Sequence, residues 1–182
     1  MHRAGILGLL RAHGVRPLPA PEALALGETI AFVETHPDCL LRSCAPGHLT
    51  GSAWIVSPDR RRTLLTLHSK LGKWLQLGGH ADGDPDLLAV ALREAREESG
   101  LSRLSVADPR IFDVDRHWIP GRGGEPGHWH HDIRFMLEAE PSEPLAATIE
   151  SRELSWVDVA AVSALNPEES MARMVRKTLA PL

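Results

Sequence analysis

Cysteine is scarce in this sequence: Cys39 and Cys44 are the only two in 182 residues. Two cysteines are too few for the disulfide framework of a small secreted protein. A long hydrophobic run is also missing, because Arg11 and His13 interrupt the apolar N-terminal stretch before it reaches the roughly 20 residues that span a membrane. No small-residue cleavage site follows that stretch. We therefore expect reduced thiols, no membrane span, no signal peptide and a cytoplasmic protein.

Runs of positive charge are missing as well. The longest run of lysine and arginine is Arg60 to Arg62, and the net charge is −4. A nucleic-acid backbone requires an extended basic surface, so we expect no polymeric DNA or RNA partner. The apolar content of 43% and the charged content of 24% are typical of one globular domain.

The front of the chain predicts two helices. The first covers residues 3–13, a proline-containing linker follows, and the second runs from Pro21 to Thr35, where His36-Pro37 ends it. We assign residues 1–46 to an N-terminal helical extension and residues 47–182 to a single globular domain. The extension is left open as a lid, a homodimer contact or additional core.

The remaining pattern alternates between strands and helices. Residues 53–56 and 63–67 predict a hairpin, because Ser57-Pro58-Asp59 between them is a turn signal. A final helix is expected after Asn166-Pro167-Glu168. Further strands are expected at 72–77, 111–118, 129–137 and 154–157. This order predicts an α/β fold with a mixed sheet covered by helices.

The segment 85–99 predicts an amphipathic helix. Asp84 can cap its start, Pro85 suits its first position, and Gly100 suits the position just past its end. Gly78-Gly79 precedes it and gives a loop with unusual backbone freedom. Its apolar stripe, which we expect to pack on the sheet, consists of Leu88, Ala91, Leu92 and Ala95.

Three carboxylates share the edge of that stripe. Glu94, Glu97 and Glu98 are spaced i, i+3 and i+4 near the negative end of the helix. Like charges at this spacing cost about 0.2–0.5 kcal/mol, and acids at a helix C-terminus cost about 0.3–1 kcal/mol more. A hard divalent cation such as Mg²⁺ or Mn²⁺ would relieve both costs. A solvated acidic face partnered by Arg93 and Arg96 is the alternative explanation.

Residues 79–101, GHADGDPDLLAVALREAREESGL, closely resemble the Nudix box. That motif has a glycine, five residues, a glutamate, seven residues, Arg-Glu, an apolar residue, any residue, Glu-Glu, any residue, a glycine and an apolar residue. One position departs, since Pro85 stands where the family usually has its first glutamate. Residues 48–53 and 71–80 also resemble a Nudix subgroup with a Gly-Gly-His signature and no defined substrate. The resemblance covers about residues 48–160.

The resemblance implies a Nudix-type α/β/α sandwich and a metal-dependent hydrolase. The expected reaction is cleavage of a phosphoanhydride in a nucleoside diphosphate linked to another moiety. Glu94, Glu97 and Glu98 would bind Mg²⁺ or Mn²⁺, with Glu94 or Glu97 assisting the attacking water. Arg93 would orient a glutamate, and Gly79 would let the loop approach the metal. A later acid, Glu150 in preference to Glu153, would complete the site.

Two alternatives to a hydrolase remain at this point. Pro85 favours a catalytically inactive Nudix-fold module that binds nucleotides or regulates, although the complete Arg-Glu and Glu-Glu elements argue against it. A Nudix-fold isomerase would need a cysteine near the site. Cys39 and Cys44 precede the first predicted strand, so the isomerase is disfavoured.

The sequence contains ten histidines. On a strand, His128, His130 and Asp132 would share one face, and His131 would lie on the other. We predict that these three residues bind substrate phosphates or an additional metal, and that Lys73 from another segment contacts substrate phosphates. A polar strand face in contact with solvent is the alternative.

A zinc site is a further candidate, because His36, Cys39, Cys44 and His48 are residue types that bind zinc. Their spacing fits no familiar zinc motif. Two small buried thiols are the simpler expectation.

Overall fold

A computed structural model describes residues 2–69, 71–124, 126–146 and 151–180. A single 3₁₀ turn covers residues 159–161. The helices and strands, in chain order, are α1 His2–His13, α2 Ala20–Thr35, β1 Gly47–Val56, β2 Arg62–His68, β3 Trp74–Leu75, β4 Leu77–His80, α3 Leu87–Ser99, β5 Ser105–Ile119, β6 His128–Glu138, β7 Ser151–Asp158, α4 Val162–Leu165 and α5 Glu169–Leu179.

The strands form one mixed sheet with the order β3-β2-β1-β6-β5, as the α/β prediction required. The central strands β1 and β6 run parallel, while β5 pairs antiparallel with β6. Strand β1 has two partners on its other side. It pairs with β4 through residues 50–53 and with β2 through residues 55–56. The sheet therefore forks beside β1, and β4 is the branch that leads into α3.

Strand β1 begins at Gly47, earlier than the predicted residue 53. All ten of its residues are buried, and they include His48, Thr50 and Ser52. These polar residues hide the strand from a search for apolar runs. Thr50 and Ser52 are tolerated in the interior because both donate hydrogen bonds to the Asp132 carboxylate.

Helices cover both faces of the sheet. On one face, Leu49, Ala53 and Ile133 belong to a core that also contains α3 and the two N-terminal helices. On the other face, Trp54 and Met136 form a second core with Met174 of α5. This two-sided cover is the α/β/α arrangement that the sequence predicted.

The N-terminal helices pack directly on the domain. Ile6 and Leu10 of α1 and Phe32 and Val33 of α2 are buried in the same core as Leu49 of β1. Of the three roles left open for the extension, additional core is the one that these contacts support.

Helix α3 begins two residues later than predicted, at Leu87. Asp86 is the N-cap, and its side chain accepts a hydrogen bond from the Ala89 amide. The prediction that Asp84 caps the helix was therefore wrong: its Oδ1 instead accepts from the Asp86 amide, in the turn that leads to the helix. Gly100 ends the helix in a left-handed conformation with φ of 73°, as expected. In the described residues, no helix combines the length and apolar character that crossing a membrane requires.

Candidate functional site

Helix α3 lies unusually close to the sheet. A Cβ atom on Gly51 of β1 would meet the Leu87 carbonyl oxygen at 2.7 Å and the Val90 side chain at 3.0 Å. Ala91 and Ala95 continue this buried contact along the helix. These small residues thus let the axis of α3 lie close to the sheet, which brings the polar edge of the helix next to strand β4.

Two glutamates of α3 meet the backbone of β4 at adjacent residues. Glu98 Oε2 accepts a hydrogen bond of 3.2 Å from the Gly78 amide. The Glu94 carboxylate packs on Gly79, where an added Cβ would overlap its carboxyl carbon. Gly79 is therefore required for space rather than for a left-handed backbone, since its φ lies outside that region.

Arg93 joins the remaining groups of this site. Its Nη1 lies 2.6 Å from Glu94 Oε1 and 3.3 Å from Glu97 Oε2, and its Nη2 donates to the His80 carbonyl oxygen at 3.2 Å. Burial disfavours the charged guanidinium, but the charges of the two glutamates outweigh it and raise the pKa of Arg93. The Glu97 side chain is 60% exposed, against 16% for Glu94. Glu94 and Glu98 are thus held against β4, while Glu97 faces solvent.

The donor set on α3 fits a hard divalent cation. Carboxylate oxygens are the ligands that Mg²⁺ and Mn²⁺ prefer, and Mg²⁺ binds in proteins through one or two carboxylates with water and phosphate completing its shell. Gly78 and Gly79 lie in strand β4, so the expectation of a loop at these residues was wrong. The missing Cβ at Gly79 leaves the Glu94 carboxylate directly on the backbone of β4. The helix can therefore present Glu94 and Glu98 as metal ligands.

The predicted alternation along β6 is confirmed. His128 and His130 share one face, with 3.2 Å between their Nε2 atoms. His131 lies on the opposite face, where it hydrogen-bonds to Thr29 of α2 and stacks on Phe32. The His130 face is opposite the one that the apolar stripe of α3 covers, because Gly51, which contacts α3, pairs with Ile133.

Histidines from other strands complete this cluster. His48 of β1 pairs with His130 in the parallel register, and its ring lies 4.8 Å from the rings of His128 and His130. The ring of His80 from β4 lies 4.9 Å from that of His48. The ring of His117 from β5 lies 5.5 Å from that of His130. We call His48, His128 and His130 the histidine cluster, with His80 and His117 flanking it.

Two members of the histidine cluster, His48 and His130, are uncharged near neutral pH. Burial, reinforced by the neighbouring His80 and other rings, lowers the pKa of His48 to about 4 and that of His130 to about 2. Neutral imidazole has no charge with which to attract a phosphate, but it is the form that binds metal ions. The chemistry of the cluster therefore favours metal binding over direct phosphate binding.

Cys39 and Cys44 are buried, free thiols, as the simpler expectation held. Burial is the main cause that raises the pKa of Cys44 to about 11, so this thiol stays protonated and is a poor metal ligand. Across the ranges that the structure describes, the compact group of metal-ligating side chains consists of three histidines and includes neither cysteine. The structure thus groups the His48 side chain with the histidines of β6, while both cysteines belong to the core that contains Leu49.

The other predicted substrate-binding residues have different surroundings. Asp132 is buried and accepts hydrogen bonds from Thr50, Ser52, Gln76 and Arg134. Its carboxylate therefore holds strands together. Lys73 is exposed and forms an ion pair with Glu168.

The later acids lie in or near strand β7. Glu150 falls outside the described residues. Glu153 is exposed on β7, opposite Leu67 of β2.

Sequence reasoning missed a buried ionic network under α5. Arg173 bonds both oxygens of Asp113 at 2.8 Å, and Lys177 bonds Asp113 and Glu22. Burial alone would raise the pKa of Glu22, but hydrogen bonds from His13 and Lys177 outweigh it and lower the value. These residues are distant in sequence and follow no motif, so no local signal distinguishes them from surface charges.

The NUDIX domain family profile matches residues 48–178. Three solved structures share this fold at low identity. A C. elegans Ap4A hydrolase superposes with a TM-score of 0.57 at 15% identity, covering 71% of this chain and 93% of that one.

The other two are bacterial. An E. coli dihydroneopterin triphosphate pyrophosphohydrolase gives 0.56 at 17% identity, covering 71% and 92% of the two chains. A Nudix hydrolase from M. smegmatis gives 0.52 at 20%, covering 74% and 89%. Among curated proteins, none is similar enough in sequence to match.

Proposed function

The chain belongs to the Nudix family, and from this premise we propose that it is a divalent-metal-dependent hydrolase that cleaves a phosphoanhydride bond in a nucleoside diphosphate linked to another group. The observation that supports this most directly is the pair of glutamates held on adjacent residues of β4. Glu98 accepts from the Gly78 amide, and Glu94 packs on Gly79. Their placement fixes the proposed ligands on α3 against strand β4.

The chemistry requires neutralisation of charge, because a phosphoanhydride carries negative oxygens that repel an attacking water. A bound Mg²⁺ or Mn²⁺ would neutralise these oxygens and lower the pKa of the attacking water. Glu94 and Glu98 are the residues positioned to hold the metal, and we add Glu97 from the same helix. The exposed carboxylate of Glu97 or that of Glu94 takes the proton of the attacking water.

Arg93 acts as a positioning residue in this proposal. Its guanidinium spans Glu94, Glu97 and the His80 carbonyl, so it sets the rotamers of both carboxylates relative to β4. Charge-assisted hydrogen bonds of this kind are about twice as strong as neutral ones. Glu150 stays our prediction for a completing acid, and Lys73 for a phosphate contact from the exposed turn before Trp74. The cytoplasmic location and a homodimer also remain predictions.

An inactive nucleotide-binding module is the second candidate, and Pro85 favours it. Pro85 is exposed in the turn before α3 and carries no carboxylate at the position where the family usually has one. Binding of nucleotides without turnover would identify such a module.

A substrate panel with either metal tests the proposal. The panel contains nucleotide sugars, dinucleotides including Ap4A, coenzyme A and nucleoside triphosphates, and phosphate-containing products are followed. We expect Glu98→Gln to lower turnover at least roughly a hundredfold, because metal catalysis supplies several kcal/mol. Glu169→Gln is the matched control, since Glu169 is an exposed glutamate in an ion pair on α5. Full activity in the Glu98→Gln protein, or a blank across the panel, would reject the hydrolase.

A further inference from the structure

We propose that His48, His128 and His130 form a second metal site, selective for an imidazole-binding ion such as Zn²⁺ and separate from the carboxylates of α3. The proposal goes beyond the hydrolase and does not depend on it. Each of the three residues offers one ligand atom, and these atoms lie within 4.8 Å of one another. Imidazole suits Zn²⁺, whereas carboxylate and water suit Mg²⁺ and Mn²⁺. The two sites would therefore take different ions from the same solution.

The distance between His128 and His130 matches that of two ligands of one ion. His128 Nε2 and His130 Nε2 are 3.2 Å apart. Two nitrogens bound tetrahedrally to zinc at 2.0–2.1 Å are about 3.3 Å apart by geometry. The spacing of these two nitrogens therefore suits a shared ion, and the His48 nitrogen, which lies within 4.8 Å of them, would move closer on binding.

The tautomer of His128 is set for metal binding. Its Nδ1 lies 3.1 Å from the Pro126 carbonyl oxygen. A carbonyl only accepts, so in the neutral ring Nδ1 carries the proton and the lone pair is on Nε2, the atom nearest His130 Nε2. Histidine ligands of metals commonly have this arrangement, in which the second nitrogen donates to a carbonyl and fixes the ring.

His48 supplies an independent observation. It is 3% exposed, and neither of its ring nitrogens has a hydrogen-bond partner in the described part of the chain. A buried polar group without a partner destabilises the folded state. A metal ion would satisfy the nitrogen that lacks a proton. The orphaned ring therefore points to a ligand rather than to packing alone.

The backbone holds the ligands in place before any ion arrives. His48 and His130 are directly paired between the two central strands β1 and β6. His80 and His117 pack against the ring of His130 and restrict its rotation. Three protein ligands leave a fourth position for water or for a substrate oxygen, as in catalytic zinc sites. The predicted contact of His128 and His130 with a phosphate would then pass through the ion.

Zinc binding to the full-length chain, with any affinity tag removed, tests the site without a substrate. The protein is stripped with a chelator and dialysed against Zn²⁺ in excess Mg²⁺, and bound zinc is measured by mass spectrometry. We expect one equivalent per chain. Co²⁺ in place of Zn²⁺ should give visible absorption bands of tetrahedral coordination.

Four variants locate the ion. His128→Gln removes a half-buried ligand at the start of β6 and should weaken Zn²⁺ binding more than about a hundredfold, beyond the loss typical of outer-shell partners. His48→Gln should weaken Zn²⁺ binding to a similar extent. Because His48 is buried, His128→Gln tests the site on its own if the His48 variant fails to fold. His36→Gln, a half-buried histidine outside the cluster, and Glu98→Gln on α3 should keep the equivalent.

Each outcome decides the proposal. A wild-type protein that retains no zinc would show that the short contact between His128 and His130 is a metal-free hydrogen bond, and the proposal would fall. Zinc binding that His128→Gln leaves unchanged would also overturn the proposal. Loss of zinc in Glu98→Gln together with its retention in His128→Gln would place the ion on α3 instead. Because no substrate is involved, an inactive protein that binds zinc at the cluster would refute the hydrolase and leave the metal site standing.

Discussion

Gly79 shows how a single missing side chain can shape the site. The Glu94 carboxylate lies where a Cβ atom on this residue would be. Any other amino acid would push Glu94 away from β4 and disturb its pairing with Arg93. The residue is thus constrained by a contact with a proposed metal ligand, which is a sharper reason than loop flexibility.

We predict that Gly79→Ala lowers turnover by about a hundredfold, the order of loss that a misplacement near 1 Å produces. Gly8→Ala is the control, because an added Cβ there meets nothing within 4 Å. In the middle of α1 the control should be neutral or stabilising by up to about 1 kcal/mol. Initial rates and thermal melts of both proteins check this. Wild-type activity in Gly79→Ala would show that Glu94 is free to move.

Helix α5 is anchored to the sheet by charge as well as by apolar packing. Arg173 is 2% exposed at its side chain and bonds both Asp113 and Asp115 of β5. Burial disfavours a charged Asp115, but Arg134 and His117 outweigh this effect and lower its pKa. Helix α5 therefore covers the same sheet face as the histidine cluster, and the cluster lies at the opposite end of strands β1 and β6.

We predict that Arg173→Met destabilises the protein by about 3–5 kcal/mol, because it removes a buried cation that pairs with Asp113 and Asp115. Arg176→Met one turn later removes an exposed pair with Glu169 and should cost less than about 1 kcal/mol. Urea unfolding of both variants measures the difference. Equal midpoints would mean that the buried network contributes no net stability.

At the scale of the whole molecule, the N-terminal helices and the Nudix domain share one core. Leu10 is fully buried among residues of that core, and His13 and Glu22 extend the ionic network to α5. The domain boundary that we predicted at residue 46 stays a prediction from sequence. Apolar side chains from both sides of it pack in the same core.

We predict that Leu10→Ala destabilises the entire chain by about 2–5 kcal/mol. All five tryptophans lie at residue 54 or later, so tryptophan fluorescence reports the sheet and not the N-terminal helices. Val15→Ala is the control, because Val15 is 85% exposed. A fluorescence transition that Leu10→Ala leaves in place would indicate that the N-terminal helices unfold separately.

The sequence by itself determined those features that depend on neighbours along the chain. The burial of Ala91 and Ala95 on α3, its end at Gly100 and the spacing of its glutamates follow from helical geometry and local sterics. The predicted stripe did not include Leu87 and Val90, which are also buried on this helix. The alternation of His130 and His131 follows from strand geometry. Family membership followed from the same short segment, because its spacing is specific.

Only the tertiary structure decided which distant side chains meet. His48 joins His128 and His130 because β1 and β6 pair in parallel, and no local pattern encodes that register. The surroundings of Asp132 also depend on strand pairing, because its carboxylate accepts hydrogen bonds from Thr50 and Ser52 of the neighbouring strand. Strand pairing and burial depend on contacts between residues that are distant in sequence, so only the packed sheet and its covering helices determine them.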